Sequence, residues 1–153
     1  MESPLAVSNY FIQKSFDSGY EVTPMKLIKL VYISHGYYLA LTGLALIPEQ
    51  VEAWQYGPVV KTVYQETKVF GKNQITSLFF DSETLSYPLP TDKIITDFLD
   101  RIWVAYGKLN GLQLSGLTHQ DNTPWDITYN KLKQLYISDD LIKTHYKAKL
   151  ITQ

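Results

Sequence analysis

Three hydroxyl–proline pairs, Ser3-Pro4, Thr23-Pro24 and Thr123-Pro124, constrain this chain more than any other feature. Each places a side-chain oxygen just before a proline, the arrangement of a helix start. The oxygen caps free backbone N–H groups, and proline's fixed φ suits a position whose own N–H is not needed. Gly19, Gly43, Gly71 and Gly107 supply stops, because glycine adopts the left-handed conformation that ends a helix. Together these marks predict helices over about 4–18, 24–42 and 58–70.

Within the second of these, apolar residues cover most of the circumference. Lys26, Lys29 and Gly36 leave only a narrow polar stripe. A helix apolar nearly all round belongs at the centre of a domain. The two lysines then read in two ways: as the solvent edge, with stems lying along apolar neighbours, or as cations offered to an acidic partner. The third helix is one-sided, with Val59, Val60, Val63, Tyr64, Thr67 and Phe70 on its inner face. Between them, 51–56 has β character. The segments 75–80 and 84–87 flank Asp81-Ser82-Glu83 and predict a small hairpin. Pro88 and Pro90 close it, and Thr91 caps a helix over about 92–108 with Ile95, Phe98, Leu99, Ile102 and Tyr106 on one face. Shorter helices are expected over about 110–117, 124–130 and 138–150, the last opened by Asp139 and Asp140 at its positive end. The expected fold is mainly α, with a minor short antiparallel β element, in a single compact helical domain spanning 1–153.

Composition narrows the function. Net charge is −1, from 14 basic and 15 acidic residues, with no basic run, which argues against a nucleic-acid partner. The absence of cysteine removes disulfides, thiolate nucleophiles, zinc ribbons and iron–sulfur clusters, and fits a reducing cytoplasm. No secretory signal and no long apolar run is present, so a cytoplasmic protein away from the membrane is expected. Twelve tyrosines and three tryptophans offer more amphipathic area than a simple monomer requires, which points to a protein interface.

Few residues carry chemistry. His35 sits on an apolar face and reads as a buried, hydrogen-bonded histidine; His145 reads as a surface residue. His119, with Ser115 and Asp121 or Asp126 nearby, could form a catalytic triad, yet no nucleophile elbow accompanies it, and a histidine at a helix C-terminus explains itself. Glu49 and Glu52 are an acidic pair without a basic or metal-binding companion. The glycines form neither a phosphate loop nor a dinucleotide fingerprint. No catalytic residue, metal ligand or cofactor is expected. Trp54, Tyr56, Gly57 and Pro58 read either as a tight joint covered by aromatics or as an exposed aromatic anchor.

Three blocks, taken in order, resemble one family. They are Thr23-Pro24-Met25-Lys26-Leu27-Ile28-Lys29-Leu30-Val31-Tyr32, then Ala53-Trp54-Gln55-Tyr56-Gly57-Pro58-Val59-Val60, then Leu117-Thr118-His119 followed by Pro124-Trp125. The pattern is similar to the Panacea domain of SocA-like, phage-associated antitoxins and covers about 5–150. Ile28 departs from it where glutamine is usual, and 44–48 is more apolar than the usual loop. The resemblance implies an antitoxin of a bacterial or phage toxin–antitoxin system that neutralises its cognate toxin by direct binding. The family's toxins are chemically unrelated, and some members act as proteolytic adaptors, so a cytosolic protease is a second implied partner. Lys26, Lys29, Trp54, Tyr56, His119 and Trp125 become the candidate partner-binding residues. A phage or mobile-element interaction protein without a toxin is one alternative, and a small hydrolase-type enzyme using His119 is another.

Overall fold

The structure, a computed structural model, describes residues 1–151. Seven helices and a small sheet follow in the order α1 (Pro4–Ser18), α2 (Pro24–Thr42), β1 (Val51–Trp54), β2 (Gly57–Val59), α3 (Lys61–Thr67), α4 (Lys93–Tyr106), α5 (Gly111–Thr118), α6 (Pro124–Asp126), β3 (Tyr136–Ile137) and α7 (Asp139–Ile151). A 3-10 turn, Lys68–Phe70, extends α3, and a π turn, Ile127–Lys131, extends α6.

The hydroxyl–proline pairs open helices as expected. Ser3 accepts from the N–H of Leu5, Thr23 from Lys26 and Thr123 from Asp126, each with proline at the start of the helix. Gly19 and Gly43 close α1 and α2 in the left-handed conformation. Gly107 does not: its φ is −64°, and its place beside Trp103 leaves no room for a Cβ. Asp92, one residue after the expected Thr91, caps α4.

Helix α2 is the axis of the fold and packs against α1, α3, α4, α5, α7 and β2. Leu27, Leu30, Val31, Tyr32 and Ile33 are all but inaccessible, and Phe11, Leu99, Leu114 and Ile142 close on them from four other helices. Burial of that many large side chains, at roughly 2 kcal/mol each, is the main stabilising term.

Two further local expectations are corrected, and one strand pair goes unforeseen. The third helix begins at Lys61, not near 58, because Gly57, Pro58 and Val59 pair with Trp54, Ala53 and Glu52 as an antiparallel strand. Proline is tolerated there because β2 is an edge strand that need not donate at that position. The second strand pair of the sheet is β1 with β3, which the sequence did not announce. The hairpin over 75–87 reduces to a single bridge, Asp81 with Ser86. The buried amide of Asn9 in α1 takes the place of a partner strand: it accepts from the N–H of Phe79 at 2.7 Å and donates to the carbonyls of Phe79 and Pro88 at 3.0 and 2.9 Å.

Candidate functional site

The three sequence blocks meet at one place, the two-residue turn Gln55-Tyr56 between β1 and β2. Three side chains from three helices hold it by its carbonyls. Trp125 of α6 donates its Nε1–H to the carbonyl of Trp54 at 2.6 Å. Ser115 of α5 donates to that of Tyr56 at 3.1 Å. Lys29 of α2 donates to that of Pro58 at 2.8 Å. A turn loses backbone partners where its strands end, so these donors satisfy acceptors that water would otherwise take.

Lys26 and Lys29 are therefore neither solvent edge nor exposed cations: each is 3% exposed. Lys26 reaches the carbonyl of Gly107 at 2.5 Å, where α4 ends in unpaired acceptors, and its ammonium lies 5.2 Å from the Trp103 ring centre. Burial lowers its proton affinity. Lys29 is more completely enclosed, and burial alone brings its pKa down to about 7. Among the described residues no carboxylate offsets that cost.

Gly57 shows why this turn needs its glycine. Its φ is +120°, and a Cβ there would stand 2.8 Å from the Lys29 ammonium. The amine occupies the space that any side chain would fill.

His119 ends α5 half-buried. Its ring stands edge-on to Trp125, centres 5.4 Å apart, and Trp125 stacks on Tyr129 at 5.0 Å. Ser115 and His119 do come together, with the hydroxyl 3.4 Å from Nδ1. However, Nδ1 is directed at the backbone carbonyl of Ser115, so it carries a proton there and cannot take the hydroxyl's. Asp126 is engaged elsewhere: it accepts from the backbone N–H of Asn122 and the amide of Asn130, which with nearby Lys131 hold its carboxyl below the usual range. The arrangement supports a turn and provides no relay to a nucleophile.

Trp54 is half-buried against Tyr64, centres 4.8 Å apart, and Tyr56 stands 71% exposed at the tip. Beside it opens a cleft of about 510 Å³ whose walls include Met25, Ile28, Trp54, Tyr56, Val59 and Tyr64, with Lys29 among its lining. Of the six candidates, Lys29 and Trp125 hold the turn, Trp54 and His119 pack beside it, Lys26 closes the end of α4 instead, and Tyr56 alone projects outward. Ser115, noted from sequence only as a neighbour of His119, is the residue that reading missed; its spacing of four from His119 on one helix was the available signal.

These blocks are those of a known family. The sequence profile described as Antitoxin SocA-like, Panacea domain, matches residues 27–126. The chain belongs to this family. It is also 27% identical over 157 residues to "Antitoxin SocA" of Caulobacter vibrioides (strain NA1000 / CB15N), an alignment covering 96% of this chain and 84% of that protein. No solved structure matches it. The Panacea match spans α2 through α6, so it contains all three donors to the turn and the turn itself.

Proposed function

We propose that this Panacea domain, one unit over 1–153, is a cytoplasmic antitoxin that binds a toxin protein directly and performs no catalysis of its own. Membership of the SocA-like family supports an antitoxin role. The observation that carries direct binding is the exposed Tyr56, mounted on a turn braced by Trp125, Ser115 and Lys29. A rigid tyrosine beside apolar walls loses little entropy on contact, which is the property of an interface anchor. Met25 and Tyr64, both partly exposed on the same cleft, extend the apolar area around it. Holding a toxin at nanomolar affinity takes about 12 kcal/mol and an interface of roughly 1,600 Å², so this face would form the centre of a larger contact.

The test is co-expression with the adjacent small gene. That gene should arrest growth alone and be harmless together with this chain, and the two products should co-purify. Tyr56→Ala should weaken the complex at least tenfold while leaving the fold intact, as expected for an anchor worth about 2 kcal/mol. Growth arrest that persists on co-expression, or a neighbour without toxicity, defeats the reading; an unchanged complex with Tyr56→Ala moves the contact elsewhere on the surface.

A further inference from the structure

The cleft beside the turn has a polar character that bracing alone does not use. Lys29 is buried, and among the described residues its amine makes a single hydrogen bond, to the carbonyl of Pro58. An ammonium carries three donors, so two remain without a protein acceptor. Lysine could brace a turn as part of a charged pair, but among the described residues no aspartate or glutamate lines the cleft. The second charged residue on its wall is Lys68, exposed at the rim. Gln55 and Thr67 add two uncharged polar groups, and most of the remaining wall is apolar, with Ile28, Val59, Trp54, Tyr56 and Tyr64.

We propose that this cleft is a binding site for a small apolar monocarboxylate, its flat hydrocarbon body against the packed Trp54–Tyr64 pair and Tyr56 and its carboxylate received by Lys29. The volume, about 510 Å³, lies in the range of small-molecule pockets, roughly 300–1,000 Å³. Two lysines on a lining that has no carboxylate among the described residues favour an anion by charge. The aromatic walls select a planar body by dispersion and edge contacts. A carboxylate also gives the buried amine the counter-charge that the protein withholds, so binding and protonation of Lys29 reinforce one another. The inference concerns the free protein, on the same cleft that the proposed toxin contact would cover, and does not depend on that contact.

The experiment uses the full chain without partner. Indole-3-acetate and 3-phenylpropionate serve as probes and indole-3-acetamide as the neutral control, followed by calorimetry and by amide chemical shifts. The acids should bind saturably, with shifts centred on Met25, Ile28, Trp54, Tyr56 and Tyr64, and the amide at least tenfold more weakly. With the amine titrating at about 7, affinity for the acids should fall about 100-fold from about pH 6 to about pH 9 as the free amine loses its proton. The other titratable groups around Lys29 are Tyr56 and Tyr64 on the cleft walls, Lys68 at the rim, and His119, whose Cβ lies on the same side of Gly57 as the amine. His119→Gln should therefore leave the pH profile in place, and Lys29→Met should abolish both the profile and the preference for acid over amide. Met25→Glu keeps Lys29 and alters a partly exposed wall residue, so it tests the site even if Lys29→Met fails to fold. It should weaken acid binding at least tenfold by repulsion. Equal binding of acid and amide, no binding at millimolar concentration, or a pH profile that follows His119 overturns the proposal, whatever the outcome with a toxin.

Discussion

The two halves of α2 are held by different physics. Its first half meets the β1–β2 turn and the end of α4 through Lys26 and Lys29, buried amines that each serve a backbone carbonyl. Its second half meets α7 through aromatic surface. Tyr146 lies against the helix backbone at Gly36, with Tyr37 and Tyr32 around it at ring separations of 4.7 and 6.0 Å. His35, fully enclosed, donates from Nε2 to Asp139 at 2.9 Å at the start of α7. Packing against α7 depends on shape and tolerates no added volume. The turn depends on individual donors and accepts a partly desolvated charge to obtain them. The first half is thus costly in charge and presents the exposed Tyr56, whereas the second is apolar and faces inward.

Adding volume to the aromatic half should do the most damage. Gly36→Val drives a side chain into the Tyr146 ring and should cost about 3 kcal/mol or more, seen as a lower urea midpoint. If stability is unchanged, the two helices are not in contact there. In the turn half, Gly57→Ala meets both the positive φ and the Lys29 amine and should cost about 2 kcal/mol.

The pH response separates the halves more finely. Folding lowers the proton affinity of Lys29 from 10.5 to about 7, so between those values the unfolded chain carries more protons. Stability should therefore rise with pH across that window, by at most about 1.4 kcal/mol per pH unit, with the full penalty present below about pH 7. Lys26 contributes in the same direction. Denaturant melts of the parent and Lys29→Met against pH should show the slope flattening in the variant; parallel curves would mean that the amine is hydrated.

Smaller effects follow. Trp125→Phe keeps the ring stack on Tyr129 but leaves the Trp54 carbonyl without its donor, and should cost about 1 kcal/mol while loosening Tyr56. Faster hydrogen exchange at 54–58 would report that loosening directly. Asp139→Asn, on the aromatic side, removes a charge that is half-exposed and should change stability by about 0.5 kcal/mol or less.

Most of this helical framework could be read from sequence because capping is local chemistry. Ser3, Thr23 and Thr123 act on N–H groups within three residues of themselves, so their neighbours suffice to predict them. The centrality of α2 could likewise be read from its apolar circumference. The lysines could not: a narrow polar stripe looks the same whether it faces water or a neighbouring carbonyl. Nor could the fate of 75–87, since the residue that displaces a partner strand there, Asn9, lies 70 positions earlier at Phe79. His145, a surface residue by its polar sequence neighbours, is half-buried beside Tyr146.

The sequence by itself determined where helices start, which helix is central and which family the motif blocks resemble, because each depends on residues close together or on a pattern repeated along one element. Only the tertiary structure decided that those blocks converge on a single turn, that two lysines are buried to hold backbone carbonyls, and that Tyr56 is left outside. Those outcomes depend on which acceptors remain unpaired once the helices have packed, and that is a property of the assembled surfaces.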